Sequence, residues 1–423
     1  MDISAPKGTF DILTADSAAW QNLERVLREM AELYSYAEVR TPLFEKIDLF
    51  QRGVGDTTDI VQKEMFTFKT SKDDSGTTYA LRPEGTASCA RAFIEHGMYN
   101  KPLPAKWFYM GPMFRHDQPQ AGRYWQFHQF GLEVFGSSDP TVDAEVISLM
   151  VAMVEKLGLN DYNLLLNSVG CPNCRPLYRE RLIQHLQPLS ERLCGDCRQR
   201  VDKNPLRVLD CKNQSCQTAI QGFPVLNEYL CERCSDHFTT VKRTLDIYGV
   251  KYTLDSQLVR GLDYYSNTAF ELQLPGIGAQ SAVGGGGRYD GLIEEIGGPS
   301  TPGIGFALGL ERLLIALKQQ TNVEEVRSTI DVFVAVLDRE YEEQACILVN
   351  ELRSAGIRAD KDYMGRSLKA QMKFADKTGA RLVAIIGEDE VARRVYAVRD
   401  MSNQSQTEIS AGEITESIKA ILK

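Results

Sequence analysis

The sequence predicts an α+β protein, built on an antiparallel sheet flanked by helices, with a helical, cysteine-rich insertion and a small C-terminal α/β domain. Three observations predict this arrangement. Residues 107–135 have the pattern of two long strands around a polar turn. Eight of the ten cysteines lie between Cys171 and Cys234. After residue 328, strand-like and helix-like segments alternate, as is typical of a small α/β domain.

The first predicted elements are a helix and an edge strand. Apolar residues recur at helical spacing from Trp20 to Met30, which predicts an amphipathic helix. The segment "AEVRTPLFEK" that follows is strand-like but broken at Pro42, as expected of an edge strand. After Leu317, the polar stretch "KQQTNVEEVRST" is typical of a linker between domains.

The composition limits the class of protein. The chain has 423 residues, 43% hydrophobic and 25% charged, which is enough for about two or three domains and too much for a single peptide-binding module. A net charge of -9 argues against a protein that coats nucleic acid, because neutralising phosphates requires a basic surface. No export segment and no run of about 18 apolar residues occur, so we expect a cytoplasmic protein with reduced or metal-bound cysteines.

The predicted hairpin contains a cationic, aromatic stretch, "FRHDQPQAGRYWQFHQ", in this acidic chain. Side chains of a strand alternate between faces, so Arg123, Gln129 and Glu133 share one face, and the turn is expected to bring Arg115 beside Arg123. Gly131 would leave room for a ligand between Gln129 and Glu133. One interpretation is a site that holds an anion by arginine and a cationic or hydrogen-bonding group by Gln and Glu. The alternative, equally compatible with the hairpin alone, is a solvated sheet face.

Three later segments could belong to the same site. In "LVRGLDYYSNTAFEL", Arg260 precedes two tyrosines, which either form a wall of the site or simply pack half-buried. The glycines of "AVGGGGRYDGL" allow close approach to a flat or phosphorylated group, or form a flexible hairpin tip. The segment "GIGFALGLERLLIAL" predicts an amphipathic helix carrying Arg312, which on its own would be a surface group.

Together these segments resemble the bacterial histidyl-tRNA synthetases, a class II aminoacyl-tRNA synthetase family, over essentially the whole chain. The resemblance rests on "YAEVRTPLFEKIDLFQRGVG" (motif 1), "ALRPEGTA", "MGPMFRHDQPQAGRYWQFHQFGLEVFG" (motif 2), "LVRGLDYYSNTAFE", "AVGGGGRYDGL" and "GIGFALGLERLL" (motif 3). It implies a class II antiparallel sheet in a catalytic domain over residues 1–321, interrupted by the cysteine-rich insertion at 170–236. Within that domain, motifs 1, 2 and 3 would lie near 36–55, 107–135 and 303–317. An anticodon-binding domain at 328–423 would follow.

The resemblance implies a two-step histidine–tRNA ligase reaction. The histidine carboxylate attacks the α-phosphorus of ATP, which enters with Mg²⁺, and diphosphate leaves. Histidyl adenylate then acylates the terminal adenosine of tRNA-His, and AMP leaves. Arg115 and Arg260 are the implied catalytic residues, holding the α-phosphate from two sides and stabilising charge in the transition state. Arg123 would act near the outer phosphates of ATP and Arg312 would stack on adenine.

The resemblance also implies a set of histidine-binding residues. The imidazole nitrogens are expected to meet Glu133 and Tyr265, with Tyr264 beside them. A site that hydrogen-bonds both nitrogens leaves buried groups unpaired when another amino acid enters, so editing is not required. The residues expected to take the α-amino group are Glu84, Thr86 and Gln129. The turn of motif 2 departs from many relatives at Asp117, Gln118 and Trp125, which bears on contacts with the tRNA acceptor end.

Two other classes of protein fit parts of the sequence. A catalytically silent, histidine-sensing regulatory paralogue would share the fold, but such paralogues typically lack the catalytic arginine and the anticodon domain. This chain has Arg260 and a C-terminal segment that resembles such a domain. A zinc-dependent nucleic-acid-binding protein would explain the cysteines and leave the arginine and glycine motifs unexplained.

The C-terminal segment supplies a basic patch that the net charge conceals. Residues 353–399 contain eleven Lys and Arg against six Asp and Glu. Single-stranded bases are read by stacking and edge hydrogen bonds, with cations along the backbone, and a solvated basic helix face is the alternative. The candidates for tRNA contact are Arg366, Lys369 and Lys373. We also expect a homodimer formed through motif 1, and no membrane contact.

The insertion carries short-spaced cysteine pairs, "CPNC", "CGDC", "DCKNQSC" and "CERC". Such pairs present thiolates to tetrahedral zinc, and eight cysteines suffice for two Cys₄ sites or for one site with spares. The intervening "RPLYRERLIQHLQPLSERL" has enough apolar periodicity to pack without metal, and the activity implied by the resemblance does not need zinc. We therefore expect a metal-free insertion, keep structural zinc as the alternative, and assign no catalytic metal.

Overall fold

The computed structural model describes residues 3–55, 58–70, 76–117, 122–209, 211, 213–259, 262, 264–277, 281–320 and 330–422. The chain divides into two compact units, Met1–Val323 and Glu324–Lys423. Within the described ranges, no helix combines the length and the apolar character needed to cross a bilayer.

Two sheets are formed by the described residues of the first unit. In chain order its strands are β1 (Ala37–Glu38), β2 (Phe44–Lys46), β3 (Thr67–Phe68), β4 (Tyr79–Leu81), β5 (Ala105–Phe114), β6 (Gln126–Phe135), β7 (Asn163–Ser168), β8 (Thr253–Leu254), β9 (Ser266–Gln273), β10 (Ala282–Arg288) and β11 (Gly303–Gly309). Among the described residues, the larger sheet has the order β1-β5-β6-β11-β10-β9-β7-β8 and the smaller has the order β2-β4-β3. The larger sheet is antiparallel except at its two edges, where β1 pairs in parallel with β5 and β8 pairs in parallel with β7.

Helices cover one face of the large sheet. The helices of the first unit are α1 (Thr14–Leu33), α2 (Ile47–Val54), α3 (Thr86–Glu95), α4 (Pro140–Lys156), α5 (Arg175–Leu186), α6 (Gly195–Lys203), α7 (Leu206–Leu209), α8 (Gln214–Ala219), α9 (Glu232–Ile247), α10 (Leu292–Glu295) and α11 (Leu310–Gln320). Apolar side chains of α1, α4, α9 and α11 form one core with the buried face of the sheet. The predicted helix from Trp20 to Met30 is confirmed as part of α1, in which Trp20, Leu23 and Leu27 are buried.

Strands β5 and β6 confirm the predicted hairpin, and their register places Arg115 opposite Trp125, two residues from Arg123. Phe114 lies opposite Gln126, and the Arg115 N–H donates to the Trp125 carbonyl at 2.9 Å. In an antiparallel pair, one strand runs forward while the other runs back. Arg115 is therefore paired with Trp125.

The alternation of faces along β6 is also confirmed. One face packs into the core through residues that are fully buried, namely Phe130, Leu132 and Val134. The space above Gly131, expected to admit a ligand, is instead filled by the ring of Tyr109, the residue opposite it. A Cβ at Gly131 would overlap that ring, so this glycine makes room for a side chain of the protein itself.

The four consecutive glycines form a central strand rather than a hairpin tip. They lie in β10, which pairs with β9 on one side and β11 on the other. A Cβ at Gly286 would overlap the backbone of Gly305 and Phe306, and one at Gly287 would lie 2.8 Å from the Tyr265 ring. The missing side chains therefore allow close packing of the sheet and of a tyrosine over it.

The second unit has a mixed sheet with helices. Its elements are β12 (Val332–Val336), α12 (Glu342–Ser354), β13 (Ala359–Lys361), α13 (Leu368–Thr378), β14 (Leu382–Ile386), α14 (Glu388–Arg393), β15 (Val395–Asp400), β16 (Gln406–Ser410) and α15 (Ile414–Leu422). The strand, helix, helix and strand predicted from the sequence for this unit are all present as β12, α12, α13 and β14. The sheet order is β13-β12-β14-β15-β16 among the described residues, with parallel pairs around β12 and antiparallel pairs from β14 onward.

Candidate active site

A cavity of about 670 Å³ lies between strands β6, β9, β10 and β11 and the first residues of α3 and α11. This volume falls within the range of about 300–1,000 Å³ that is common for small-molecule sites. Most of the residues predicted from the sequence line it, namely Glu84, Thr86, Arg115, Arg123, Gln129, Tyr264, Tyr265 and Arg312. The structure thus gathers residues that are up to about 230 positions apart in the chain.

Glu84 is fixed at the start of α3. Its carboxylate accepts hydrogen bonds from the backbone N–H groups of Thr86 at 2.7 Å and Ala87 at 2.8 Å. A carboxylate at a helix N-terminus satisfies donors that have no partner within the helix and meets the positive end of its dipole. Burial nevertheless raises the pKa of Glu84 above its ordinary value. The side chain is therefore held in one position at the wall of the cavity.

Glu133 lies beneath the cavity rather than on its surface. Only 1% of the residue is exposed. Its carboxyl group accepts a hydrogen bond from the Thr86 hydroxyl at 2.6 Å and another from the Tyr289 hydroxyl. Burial raises the pKa of Glu133 to about 8, against the opposing effect of those two hydrogen bonds. Gly305 lies opposite Glu133 in β11, and a Cβ there would overlap the carboxyl group.

Gln129 offers an acceptor to the cavity. Within the part of the chain that the structure describes, its Oε1 atom is buried without a hydrogen-bond partner. A buried, unpaired amide oxygen costs free energy, so the position favours a ligand that donates a hydrogen bond. Across the cavity, the rings of Tyr264 and Tyr265 lie with their centroids 4.7 Å apart.

Arginines give the cavity a positive region although the chain is acidic. Arg115 donates from Nε to the Pro83 carbonyl at 2.9 Å and lies over the Phe127 ring, 5.3 Å from its centroid. Arg312, at the start of α11, donates to the carbonyls of Gly122 at 3.1 Å and Ala282 at 2.5 Å. These contacts hold both guanidinium groups in place beside the glycine-rich strand.

Arg123 and Asp117 line the cavity, and Trp125 contacts Asp117. Arg123 Nη1 pairs with Asp117 Oδ2 at 2.7 Å, and the Trp125 indole donates to the Asp117 carbonyl at 2.8 Å. The predicted residues Arg260 and Gln118 lie outside the described residues. The neighbours of Arg260 that are described, Val259 and Leu262, line the cavity.

Tyr289 and the buried network beside it were not predicted from the sequence. Tyr289 is in the "GGGGRYDGL" segment, lines the cavity and bonds Glu133. Its neighbour Arg288 is 1% exposed and donates from Nε to Asp143 at 3.1 Å, and His237 contacts the same carboxylate at 2.8 Å. The signal that could have found them is the pair of polar residues directly after four glycines.

The cysteines of the insertion lie in two groups of four. One group contains Cys171, Cys174, Cys231 and Cys234, and the other contains Cys194, Cys197, Cys211 and Cys216. Within each group the sulfur atoms all lie within 4.8 Å of one another. Each group has the composition of a tetrahedral metal site.

The family model described as "Histidyl-tRNA synthetase" matches residues 8–187 and 198–313. The chain belongs to the histidyl-tRNA synthetase family. A histidine–tRNA ligase from Syntrophomonas wolfei is 55% identical over 423 residues, which is 100% of both chains. One from Desulforudis audaxviator is 54% identical over 419 residues, 99% of each chain.

A solved structure agrees with this membership of the histidyl-tRNA synthetase family. The apo histidyl-tRNA synthetase of S. aureus is 39% identical, with a TM-score of 0.83, and the match covers 99% of this chain and 100% of that one. The predicted α+β class II fold is confirmed. A second family model, "Anticodon binding domain", matches residues 331–421, so the second unit is an anticodon-binding domain.

The raised pKa of Glu133 predicts a pH-dependent loss of stability. A carboxyl group whose pKa is raised in the folded protein makes its full contribution to stability at pH values below its unfolded pKa. That contribution to stability is lost as the pH rises through about 8. Glu133→Gln mimics the protonated group. We expect its melting temperature to match wild type below about pH 4 and to exceed it increasingly up to about pH 8, above which the difference levels off.

The control for this measurement is Glu32→Gln, since Glu32 is exposed on α1. Its melting temperature should differ from wild type by a constant amount over the same pH range. A Glu133→Gln difference that is equally constant would show that burial does not control ionisation at this position.

Proposed function

We propose that the protein is a histidine–tRNA ligase that activates L-histidine with ATP and transfers it to the 3′ end of tRNA-His. The observation that carries this proposal is the cavity itself, where two fixed arginines lie beside glycine-rich strands and a buried amide oxygen faces inward. The cavity can therefore hold an anion beside the arginines and a hydrogen-bond donor beside the amide oxygen. Formation of an aminoacyl adenylate requires this combination, because the phosphate of ATP and the amino acid must lie next to each other.

In the proposed first step, Arg115 and Arg260 hold the α-phosphate while the histidine carboxylate attacks the phosphorus. Fixed cations that meet developing charge lower the barrier because they need no reorganisation during the reaction. The contact of Arg115 with Pro83 and Phe127 supplies that fixation on one side. Arg123 serves the outer phosphates. Arg312 serves the adenine ring, since its guanidinium is planar and held at two carbonyls.

Mg²⁺ would enter as part of the ATP substrate. It usually keeps several waters and is bound by phosphate oxygens together with one or two carboxylates. Glu271 of β9 lines the cavity and is a carboxylate of the type required. The structure therefore fits a metal–nucleotide substrate without a separate protein cage for the ion.

For histidine, we assign the α-amino group to Gln129, Glu84 and Thr86. Gln129 has the unpaired acceptor, whereas Glu84 already binds the start of α3. The imidazole is assigned to Glu133 and Tyr265, with Tyr264 beside it. Tyr289 joins this set because its hydroxyl lies between the cavity and Glu133.

The second unit is proposed to bind the anticodon of tRNA-His. Lys369 and Lys373 are exposed on α13, close in sequence to the exposed side chains of Tyr363, which is 65% exposed, and Met364, which is 71% exposed. Cations with an exposed aromatic ring suit a single-stranded nucleic acid. Arg366 is instead paired with Asp362 at 2.6 Å, which makes it the weakest of the three candidates.

The chain is proposed to act as a cytoplasmic homodimer. Phe44 of motif 1 is 49% exposed, and Phe68 is 37% exposed with its ring 5.7 Å from that of Phe44. Among the residues that the structure describes, β2 and β3, which carry these rings, are the edges of the small sheet. Exposed apolar patches that lie beside free strand edges are typical of protein interfaces.

Histidine-dependent exchange of diphosphate into ATP tests the proposed function directly. A ligase gives exchange with histidine and none with other amino acids, whereas a histidine-sensing regulatory protein binds histidine without exchange. A nucleic-acid-binding protein shows neither behaviour. Absence of exchange would reject the proposal.

Arg260→Ala is expected to lower the turnover of that exchange by on the order of a hundredfold or more, with little change in KM for histidine, because its proposed partner is charge in the transition state. The exposed Arg52, as Arg52→Ala, is the control. A collapse of histidine affinity with turnover intact would overturn the assignment.

Glu133→Ala is expected to show the opposite split in the same assay. Its proposed partner is the imidazole of the bound substrate, so KM for histidine should rise by about tenfold or more while turnover changes less. An unchanged KM would remove Glu133 from the histidine site.

For the tRNA proposal, the double variant Lys369→Glu, Lys373→Glu should lower kcat/KM for tRNA by about tenfold or more. Diphosphate exchange should stay at the wild-type rate, because α13 belongs to the other unit. Lys419→Glu on α15 is the matched control. Equal aminoacylation by the double variant and the control would contradict a role for α13.

For the dimer proposal, wild-type protein should sediment as a dimer at micromolar concentration, and Phe44→Asp should shift it toward monomer. The control is Ile247→Asp, since Ile247 is 73% exposed on α9. Sedimentation of the wild-type protein as a monomer at this concentration would contradict the proposal.

A further inference from the structure

The insertion contains two sets of converging sulfur atoms that the proposed reaction does not use. We name Cys171, Cys174, Cys231 and Cys234 the outer set. Cys194, Cys197, Cys211 and Cys216 are the inner set, since they lie between those pairs in the chain. All eight thiols are free.

The spacing of the sulfur atoms matches a mononuclear tetrahedral centre. Four thiolates at about 2.3 Å from zinc lie about 3.8 Å from one another. The sulfurs of Cys171 and Cys174 are 3.6 Å apart, and those of Cys194 and Cys211 are 3.9 Å apart. A disulfide would require about 2.05 Å, so neither pair is bonded in this arrangement.

The backbone around both sets is arranged for thiolate ligands. Cys231 and Cys194 are the residues that directly precede α9 and α6, where the positive end of a helix favours a thiolate. The N–H of Cys231 donates to the Cys174 sulfur at 3.1 Å. The N–H of Cys194 donates to the Cys216 sulfur at 3.1 Å. In each set, therefore, the backbone N–H of one cysteine donates a hydrogen bond to the sulfur of another cysteine of the same set.

Some of the segments around these sulfur atoms are very short helices. α7 has four residues and α8 has six, whereas isolated helices below about 12 residues are marginal in water. The outer set forms a cluster of its own, packed chiefly against Leu230 among the described residues. Small segments of this kind commonly rely on a metal.

We propose that the insertion binds two structural zinc ions, one at each set of four cysteines. Each ion forms four Zn–S bonds, and each thiol releases its proton to solvent, so no oxidant or reductant is needed. Full coordination by protein leaves no position for water, which assigns both ions a structural role. The proposal departs from the metal-free insertion expected from the sequence, because only the fold shows which pairs converge.

Each centre stabilises a different side of the cavity. Beside the outer centre, the Asn267 N–H donates to the carbonyl of Gly170, the residue before Cys171, at 3.0 Å, and Arg175 donates to the Tyr265 carbonyl. The start of the strand beside the tyrosine wall is therefore attached to the outer centre. Near the inner centre, Arg200 of α6 pairs with Asp59 at 3.0 Å, and Asp59 lines the cavity.

Metal analysis of full-length protein purified without chelator tests the proposal. We expect about two zinc ions per chain and no stoichiometric iron. Cys171→Ser and Cys194→Ser should each lose about one zinc. Cys346→Ser, which changes an exposed cysteine outside both sets, should keep both. One zinc per chain in the wild type, less than about half an equivalent, or an iron cluster would each overturn the proposal.

A measurement on the wild-type protein removes dependence on variants that fail to fold. Titration with an organomercurial in the presence of a chromogenic chelator should release about two zinc ions as about eight thiols react. Replacement of zinc by cobalt(II) should give the absorption of a tetrahedral tetrathiolate centre. Release of zinc without consumption of thiols, or an octahedral cobalt spectrum, would show that the metal lies elsewhere.

Discussion

The cavity depends on a steric constraint, namely that glycines, which have no side chain, occupy positions where neighbouring strands lie side by side beneath it. A Cβ at Gly286 would overlap β11, one at Gly305 would overlap the Glu133 carboxyl group, and one at Gly131 would overlap the Tyr109 ring. The glycines let polar side chains lie flat across adjacent strands. Carboxyl and hydroxyl groups can therefore be buried together beneath the ligand, and Glu133 acquires its raised pKa because of this burial.

The contrast between net charge and local charge follows from the same layout. The chain is acidic overall, but Arg115 and Arg312 donate hydrogen bonds to backbone carbonyls at the cavity. A guanidinium bound by neutral carbonyls keeps its full charge for a ligand, whereas one paired with a carboxylate is largely neutralised. An acidic exterior is thus compatible with a site for an anionic substrate, because protein electrostatics at short range are set by the nearest groups.

Local patterns in the sequence were sufficient for the elements and for most of the site residues. The helix containing Trp20 and the alternation along β6 follow from periodicity, and the family resemblance supplied the residues that line the cavity. What depends on long-range pairing could not be predicted. The ring of Tyr109 over Gly131, the contact of Arg288 with Asp143 and the partition of the cysteines each join segments whose register only the fold determines.

The nested order of the two cysteine sets also has a consequence for how the insertion folds. The inner contact between Cys194 and Cys211 closes a separation of 17 residues, and the outer contact between Cys174 and Cys231 closes one of 57 residues. Closing the longer loop from an unstructured chain costs about 1 kcal/mol more in entropy. Once the inner loop has formed, the chain left to close is shorter. We therefore expect the inner set to close before the outer set as the insertion folds.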